Sequence, residues 1–427
     1  MKLDNLKSNI RQAVRIPQLF VEWYFLKRAI HYKKVSHVKS ILIATPDPNY
    51  LIGSKGDEAM IIGVVTAISD LYKNCNVGIL TNLETLPKSL STLKINIEQQ
   101  WSNPWSLKAL INIVLRYDGL IIVGADVMDG HYVPLSAARL WTLADVGASL
   151  GKQTAVLGFS FNQHPSLWLL PFLNKISSKL TIFARDAVSQ DRFNSFSRAQ
   201  AELVADAAFL LKPNTESDVV KKIAIWCETQ RSQGKIVSGF NIHPMLLKNP
   251  SSQQLAEIID CSVKALAGAM GKRPVSFVMI SHDYRGPGMG DCEILAEITN
   301  RLQSLGFENV LYFNDQLHAS ELKALAGIMD IVITGRMHLS IAALGQGTPV
   351  AAITYQGKFH GLFQHFGLSD KYLISPEEIK YSDVFERWII SALDSQKDLK
   401  RQVAETLPSV KKLAYKNLSP FTGQHIL

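Results

Sequence analysis

Residues 330–358 read Asp-Ile-Val-Ile-Thr-Gly-Arg-Met-His-Leu-Ser-Ile-Ala-Ala-Leu-Gly-Gln-Gly-Thr-Pro-Val-Ala-Ala-Ile-Thr-Tyr-Gln-Gly-Lys. Arg336, His338 and Lys358 bring a guanidinium, an imidazole and an ammonium into this one stretch. Together they suit a small anion that carries more than one charge. The pattern around them says how they are held. Apolar runs of strand length at 331–334 and 350–354 flank a helical segment whose Leu339, Ala342 and Ala343 share a face, and Gly347 and Pro349 end that helix. A right-handed βαβ crossover places both strand ends on one rim of a parallel sheet. Ligands of open α/β sheets bind outside that rim, beside helix N-termini.

Other strand ends carry polar groups of the same kind. Asn241 and His243 follow an apolar run at 236–240, and His282, Asp283, Tyr284 and Arg285 follow one at 275–280. A single histidine at a strand end is usually a hydrogen-bonded structural residue. Successive strand ends bearing such groups are not required by packing. In the first half, Arg185 follows the run 180–183; it either pairs with Asp186 or Asp206 or serves as a second guanidinium for the anion. Gly56-Asp57-Glu58 leads into a helix over 59–69, where Asp57 is either an N-cap or a substrate contact.

The framework follows from length and alternation. A chain of 427 residues exceeds one ordinary core and predicts two domains of roughly 200 residues. From residue 40 onward, short apolar runs alternate with helical stretches, the pattern of parallel α/β domains. Strands are expected at 40–44, 77–80, 120–123, 154–157, 180–183 and 203–204, then at 236–240, 275–280, 310–313, 331–334 and 350–354. The expected organisation is a basic amphipathic segment at 1–39, a Rossmann-like domain at 40–211 and a linker and hinge at 212–235. A second Rossmann-like domain at 236–395 and a C-terminal helix and tail at 396–427 follow, with 419–427 crossing back onto the first domain. Two such domains facing a cleft would converge their polar strand ends there.

Composition narrows the class. With 47% hydrophobic and 19% charged residues, the chain is an ordinary globular protein. The cysteines at 75, 227, 261 and 292 are too far apart for a Cys-x-x-Cys site and read as reduced cytoplasmic thiols. The acidic residues are scattered, with no ligand spacing, so no metal is expected. Residues 1–39 hold nine Lys/Arg against Asp4 and Glu22, a net +7 of the total +8. The body is therefore nearly neutral and nucleic-acid binding is not indicated. The aromatic cluster at 19–26 is too short to span a bilayer, and no secretory signal is present. This basic segment either packs its aromatics on the first domain or lies on an anionic membrane surface.

Several motifs taken together resemble the polysaccharide pyruvyl transferase family. They are Gly335-Arg336-Met337-His338, the Gly347-x-Pro349-Val350 turn, Tyr355-x-x-Lys358 and Lys358-Phe359-His360-Gly361-Leu362, with Gly56-Asp57-Glu58 and Ala184-Arg185-Asp186-x-x-Ser189 in the first half. The resemblance runs from about 41 to 368. It implies two Rossmann-like domains facing a cleft, similar to the GT-B fold, and transfer of a pyruvyl group from phosphoenolpyruvate to a sugar as a cyclic ketal. In that family pattern Arg336 and His338 match the Arg-x-His donor motif, Arg185 the arginine of the Arg-Asp motif, and Lys358 the lysine after the following strand.

The same resemblance implies no cofactor, a sugar or lipid-linked oligosaccharide acceptor, and a cytoplasmic protein, peripheral at the inner face of the membrane if residues 1–39 touch it. His338 is expected as general acid/base, with His282 and Asp283 as relay or orienters. Asp57, Asn241, His243 and Arg285 are expected substrate contacts; by strand order Asp126, His131, Tyr132, Phe159, Asn162 and His164 would line the acceptor side. The chain departs from the family in two places: Ser54 or Lys55 replaces an asparagine, and Val123-Gly124-Ala125-Asp126 replaces a glycine triplet. Two alternatives stay open. One is a nucleotide-sugar glycosyltransferase, with Glu321 or Asp330 for the ribose; the other is a non-catalytic relative in which Asp126 has altered the acceptor loop.

Overall fold

The computed structural model describes residues 2–35, 37–99, 106–247, 250–286, 288–354 and 357–422; side chains are described from residue 11 on, that of Lys358 excepted. The chain divides into two compact units, Met1–Ile52 with Met60–Leu210 and Lys412–Leu427, and Gly53–Ala59 with Leu211–Lys411.

In the first unit the strands are β1 Ser40–Ala44, β2 Asn76–Leu80, β3 Ile95–Glu98, β4 Gly119–Ile122, β5 Gln153–Phe159, β6 Thr181–Ala184 and β7 Glu202–Leu203. They form one parallel sheet in the order β3-β2-β1-β4-β5-β6-β7. Ile41, Leu42, Ile43 and Ala44 are all buried, as are Leu120, Ile121 and Ile122, because helices cover both faces of the sheet. The strand order reverses between β1 and β4, the point at which loops diverge and leave a crevice.

The helix Lys2–Ala29 packs on the helix Pro134–Ser149 with Ile16, Leu19 and Trp23 inward. Trp23 Nε1 donates to Asp145 Oδ2 at 2.9 Å and Lys27 Nζ to Asp145 Oδ1 at 2.9 Å. Phe20 stands edge-on to Phe172, 5.2 Å between centroids. At the other end of the chain, Asn417 accepts from Gly158 N and donates to Ala205 O, both at 2.8 Å, tying the end of the helix Gln396–Lys416 to this unit. Tyr72 donates its hydroxyl to Phe421 O. Of the tail expected to cross back, 423–427 lie outside the described residues.

The second unit repeats the plan. Its strands are β8 Ile236–Asn241, β9 Val275–Met279, β10 Val310–Tyr312, β11 Ile331–Thr334, β12 Val350–Ile353 and β13 Leu373–Ile374, in the parallel order β10-β9-β8-β11-β12-β13. Here the order reverses between β8 and β11.

Three details differ from the sequence reading. The stretch 212–235 contains the helix Asp218–Ser232, which buries Val220, Ile223, Cys227 and Gln230 at helical spacing. The edge strands β3 and β13 were not anticipated: β3 is only half buried and β13 has two residues, so neither shows an apolar run. The helix expected at 59–69 runs Lys55–Leu71. Ser54 Oγ accepts from Asp57 N while Asp57 Oδ2 accepts from Ser54 N at 3.1 Å, a reciprocal cap that starts the helix four residues early. Ser54 is thus the cap, and Asp57 stands at the third helical position.

Candidate functional site

The second unit gathers its polar groups at the C-terminal rim, where β8 and β11 part. Thr334, the last residue of β11, donates to Asn241 Oδ1 at 3.1 Å, and its Oγ1 accepts from Arg336 N at 2.9 Å. Gly335 lies against His243, whose Nε2 is 3.0 Å from Gly335 O; a Cβ on Gly335 would stand 3.0 Å from the ring. This close approach delivers Arg336 to the rim.

A single buried carboxylate then fixes the guanidinium. Asp291 Oδ1 accepts from Arg336 Nε at 3.0 Å and Nη2 at 2.5 Å. Its Oδ2 accepts from Asn241 Nδ2 at 2.8 Å, His282 N at 2.9 Å and Asp283 N at 3.1 Å. One side chain therefore ties the ends of β8, β9 and β11 together. Burial pushes the Asp291 carboxyl above its ordinary range, against the opposing pull of Arg336 and the hydrogen-bond donors. Asp283 Oδ2 lies 3.2 Å from Arg336 Nη1 and accepts from Arg285 Nη2 at 2.6 Å, which raises the Arg285 pKa. Asp57 lies close enough to Arg285 to add to that rise. The two arginines, read from the sequence as cations for a ligand, are thus already oriented by protein carboxylates.

The imidazoles form the other half of the cluster. His338, second residue of the helix Met337–Leu344, lies against Gly56, and a Cβ at Gly56 would run into its ring. His282 is 6% exposed. Burial first, then the charges of His338, Arg336, Lys55 and His243, push its pKa well below 6.5, so it stays neutral at neutral pH. A neutral imidazole beside His338 can accept or pass a proton. No side chain caps the helix Met337–Leu344, and its first turn holds no acidic residue.

Three neighbours escaped the sequence reading. Asp291 has a faint signal, an aspartate at the N-cap of the helix Cys292–Ser304 after a glycine-rich loop. Lys55 pairs with Glu58 at 2.7 Å and stands 5.6 Å above the Tyr284 ring. Glu58, fully buried, also accepts from Ala319 N at 3.3 Å and meets His318 Nδ1 at 3.2 Å. Lys358 opens the helix Lys358–His365, but its side chain lies outside the described residues.

The remaining candidates belong to the first unit. Arg185, 4% exposed, donates from Nη1 to Asp206 Oδ2 at 3.0 Å, with Asp186 at 4.0 Å. After β4, a Cβ on Gly124 would strike the Leu157 carbonyl, so the chain needs glycine there. Asp126 is half-buried and accepts from the Tyr132 hydroxyl at 3.3 Å; exposed His131 stands edge-on to Tyr132 at 5.4 Å. Asp129, fully buried, accepts from His131 N at 2.7 Å and from Asn162 N at 3.0 Å, and burial raises its pKa. His164 is exposed, and Phe159 is core. The loop after β4 is thus acidic, where the rim of the second unit carries guanidinium and imidazole.

Neither carboxylate considered for a ribose reaches that rim. Asp330 precedes β11, at its opposite end, and holds Arg231 Nε at 3.1 Å and Val237 N at 2.8 Å. Glu321 accepts from His318 N at 2.7 Å as part of a helix cap.

Comparison with known proteins agrees with this architecture. The model of the polysaccharide pyruvyl transferase family matches residues 55–357. Among curated proteins, none matches the sequence. Similar solved structures include a putative UDP-N-acetylglucosamine 2-epimerase from Listeria monocytogenes, with TM-score 0.58, 11% identity, 90% of this chain and 97% of that chain covered. A glycosyltransferase from Rickettsia africae gives 0.56 at 14% identity over 90% and 97%. UDP-GlcNAc 2-epimerase from Neisseria meningitidis, bound to UDP-GlcNAc, gives 0.56 at 11% over 89% and 99%. At such identities the likeness is one of fold: two Rossmann-like α/β units in one chain, the GT-B type.

Proposed function

The chain belongs to the polysaccharide pyruvyl transferase family, and from that premise we propose that it moves a pyruvyl group from phosphoenolpyruvate onto a sugar of a cell-surface or exopolysaccharide precursor. The product is a cyclic ketal, released with phosphate. The observation that carries this reading is the rim of the second unit, where Asp291 presents Arg336 beside His338, His282 and an uncapped helix start.

Phosphoenolpyruvate offers a carboxylate and a phosphate. Arg336, the start of the helix Met337–Leu344 and Lys358 are the donors for them, each charge-assisted bond contributing roughly 1.5–3 kcal/mol. His338 delivers a proton to the methylene carbon, and the adjoining carbon becomes oxocarbenium-like. A sugar hydroxyl attacks that carbon and the carbon–phosphate oxygen bond breaks. A second hydroxyl closes the ring; of the two hydroxyl protons, one replaces that given by His338 and one leaves with phosphate. His282, held neutral, is the relay that resets His338. Arg185 is the family's second arginine, and the half-buried Asp126 suits a hydroxyl of a neutral sugar, on a loop held by buried Asp129. The reading places the chain in the cytoplasm, with no cofactor, using a lipid-linked oligosaccharide acceptor and peripheral membrane contact through residues 1–39.

Calorimetric titration with phosphoenolpyruvate tests it, with Arg336→Ala as control and UDP-GlcNAc as the rival ligand. Saturable binding is expected in the parent and not in the variant. His338→Ala should bind phosphoenolpyruvate yet turn over about 10²–10⁴-fold more slowly. Binding of the sugar nucleotide alone would replace the reading with a glycosyltransferase; a parent that binds neither and forms no ketal would be a non-catalytic relative.

A further inference from the structure

The first helix presents two apolar faces, and only one is covered. Ile16, Leu19 and Trp23 are buried, at 2%, 4% and 0% exposure, whereas Val14, Val21 and Phe25 stand at 51%, 52% and 64%. At 3.6 residues per turn, positions 14, 21 and 25 fall in one stripe on the side opposite the buried set. Arg11 and Arg28 flank the stripe, Arg15 stands further round the same side as Arg11, and Glu22 is the sole acidic residue from 11 to 29. We propose that this outer face is a docking surface for an anionic phospholipid bilayer, with Val14, Val21 and Phe25 entering the headgroup boundary and Arg11, Arg15, Arg28 and Arg139 meeting lipid phosphates.

Charge selects the occupant. Residues 1–39 hold nine basic residues against two acidic, and the rest of the chain is nearly neutral. A second copy of this chain packed on this face through the same helix would bring a second basic segment of the same sign. A polyanion without an apolar phase gives Val14, Val21 and Phe25 no reason to lie between the arginines, whereas a bilayer surface accepts both. No helix among the described residues is long and apolar enough to cross a membrane, so the contact is made lying flat.

Arg139 strengthens the case. It projects from the helix Pro134–Ser149, on which the first helix packs, and is half-buried. Its pKa is lowered, by burial first and then by the charges of Arg11 and Arg15. Arg139 thus adds a third guanidinium near Arg11 and Arg15. The stripe itself is rigidly mounted, since Trp23 and Lys27 bond to Asp145 and Arg28 stacks 4.3 Å over Tyr24.

This deepens the membrane contact in the reading above and rests on that part of it alone; it needs nothing of the ketal chemistry. The test is co-sedimentation of the full chain with phosphatidylcholine vesicles, with and without roughly a third phosphatidylglycerol. Partition into the anionic vesicles is expected, weakened by high salt. Val21→Asp/Phe25→Asp and Arg11→Glu/Arg15→Glu should each lower it about tenfold or more, at unchanged phosphoenolpyruvate binding. Arg336→Ala should partition like the parent, so failure of the donor site and failure of this surface are told apart. Equal partition into neutral vesicles, no partition at all, or an unchanged Val21→Asp/Phe25→Asp variant would overturn the proposal. Should that variant misfold, Phe25→Trp supplies the second reading: it gains quenching by brominated lipid if the face enters the bilayer, and gains none if the proposal is wrong.

Discussion

Arg185 and Arg336 both stand just after a parallel strand, β6 next to the edge of the first sheet and β11 at the strand reversal of the second. Each follows a buried parallel strand, each precedes a helix, and they are 4% and 9% exposed. The helix starts differ. Asp186, directly after Arg185, caps the helix Ala187–Phe196, accepting from Ser189 N at 2.7 Å and from Ser189 Oγ at 3.0 Å. The helix Met337–Leu344 has Arg336 itself at the cap position and no side-chain cap. A helix N-terminus carries about half a positive charge. In the first unit a protein carboxylate faces that charge; in the second an arginine holds the cap position and no side chain caps the helix. Two carboxylate-held arginines thus stand beside helix starts of opposite kind, one capped by Asp186 and one with no side-chain cap.

Removing the anchor that makes Arg336 different should have the largest effect. Asp291→Ala leaves the guanidinium buried without its main partner and strips the acceptor from Asn241, His282 N and Asp283 N. A loss of about 3–5 kcal/mol in urea unfolding, with phosphoenolpyruvate binding abolished, is expected. Asp206→Ala should cost less, about 1–3 kcal/mol, because besides its arginine Asp206 serves Ala208 N, where Asp291 serves three further donors. Equal losses would erase the contrast. Gly56→Ala comes next. In an ordinary helix this change stabilises by up to about 1 kcal/mol, but here the new Cβ meets the His338 ring. A destabilisation of about 1–3 kcal/mol with slowed turnover is expected, and stability recovered in Gly56→Ala/His338→Ala. If Gly56→Ala raised Tm on its own, the packing of His338 against that turn would be wrong.

The unequal legibility of the two rims has physical causes. Arg336, His338, His243 and His282 were readable because each follows a strand that is mostly apolar and buried along almost its whole length, and such runs are forced by burial on both faces. Strands β1 and β11 appear at 40–44 and 331–334 as expected from their composition. Edge strands β3 and β13 were not legible, since one face or most of their length escapes burial. Asp291 was hidden for another reason. Its importance lies in three strand ends brought to one carboxylate, a tertiary coincidence that no local spacing records. Asp57, open in the sequence between a cap and a substrate contact, is the partner of the cap Ser54; the two differ by three positions and either assignment as cap satisfies the same sequence.

The histidine at the second rim also makes a pH prediction. The folded pKa of His282 lies well below the 6.5 of its unfolded state, so the unfolded chain binds the extra proton. Its contribution to stability is therefore full above about pH 6.5 and is lost as pH falls from there towards the depressed folded value, at most about 1.4 kcal/mol per unit. His282→Gln should flatten that slope in urea unfolding at a series of pH values; an unchanged slope would mean that His282 is not held neutral.

The smallest effect probes the first rim. Asp186→Ala removes a cap and should cost about 1 kcal/mol, most of it restored by Asn, which also caps well. The comparison of the two arginines demands more than this loss. Stripped of Asp186, the helix Ala187–Phe196 begins beside Arg185 with no carboxylate of its own at the cap, as the helix Met337–Leu344 begins beside Arg336. Inorganic phosphate should then raise the Tm of Asp186→Ala more than that of the parent, because an anion that binds only the folded state stabilises it in proportion to its affinity. An equal rise in both would mean that the cap carboxylate is not what separates the two sites, and that the difference lies instead in the way Asp206 and Asp291 hold their arginines.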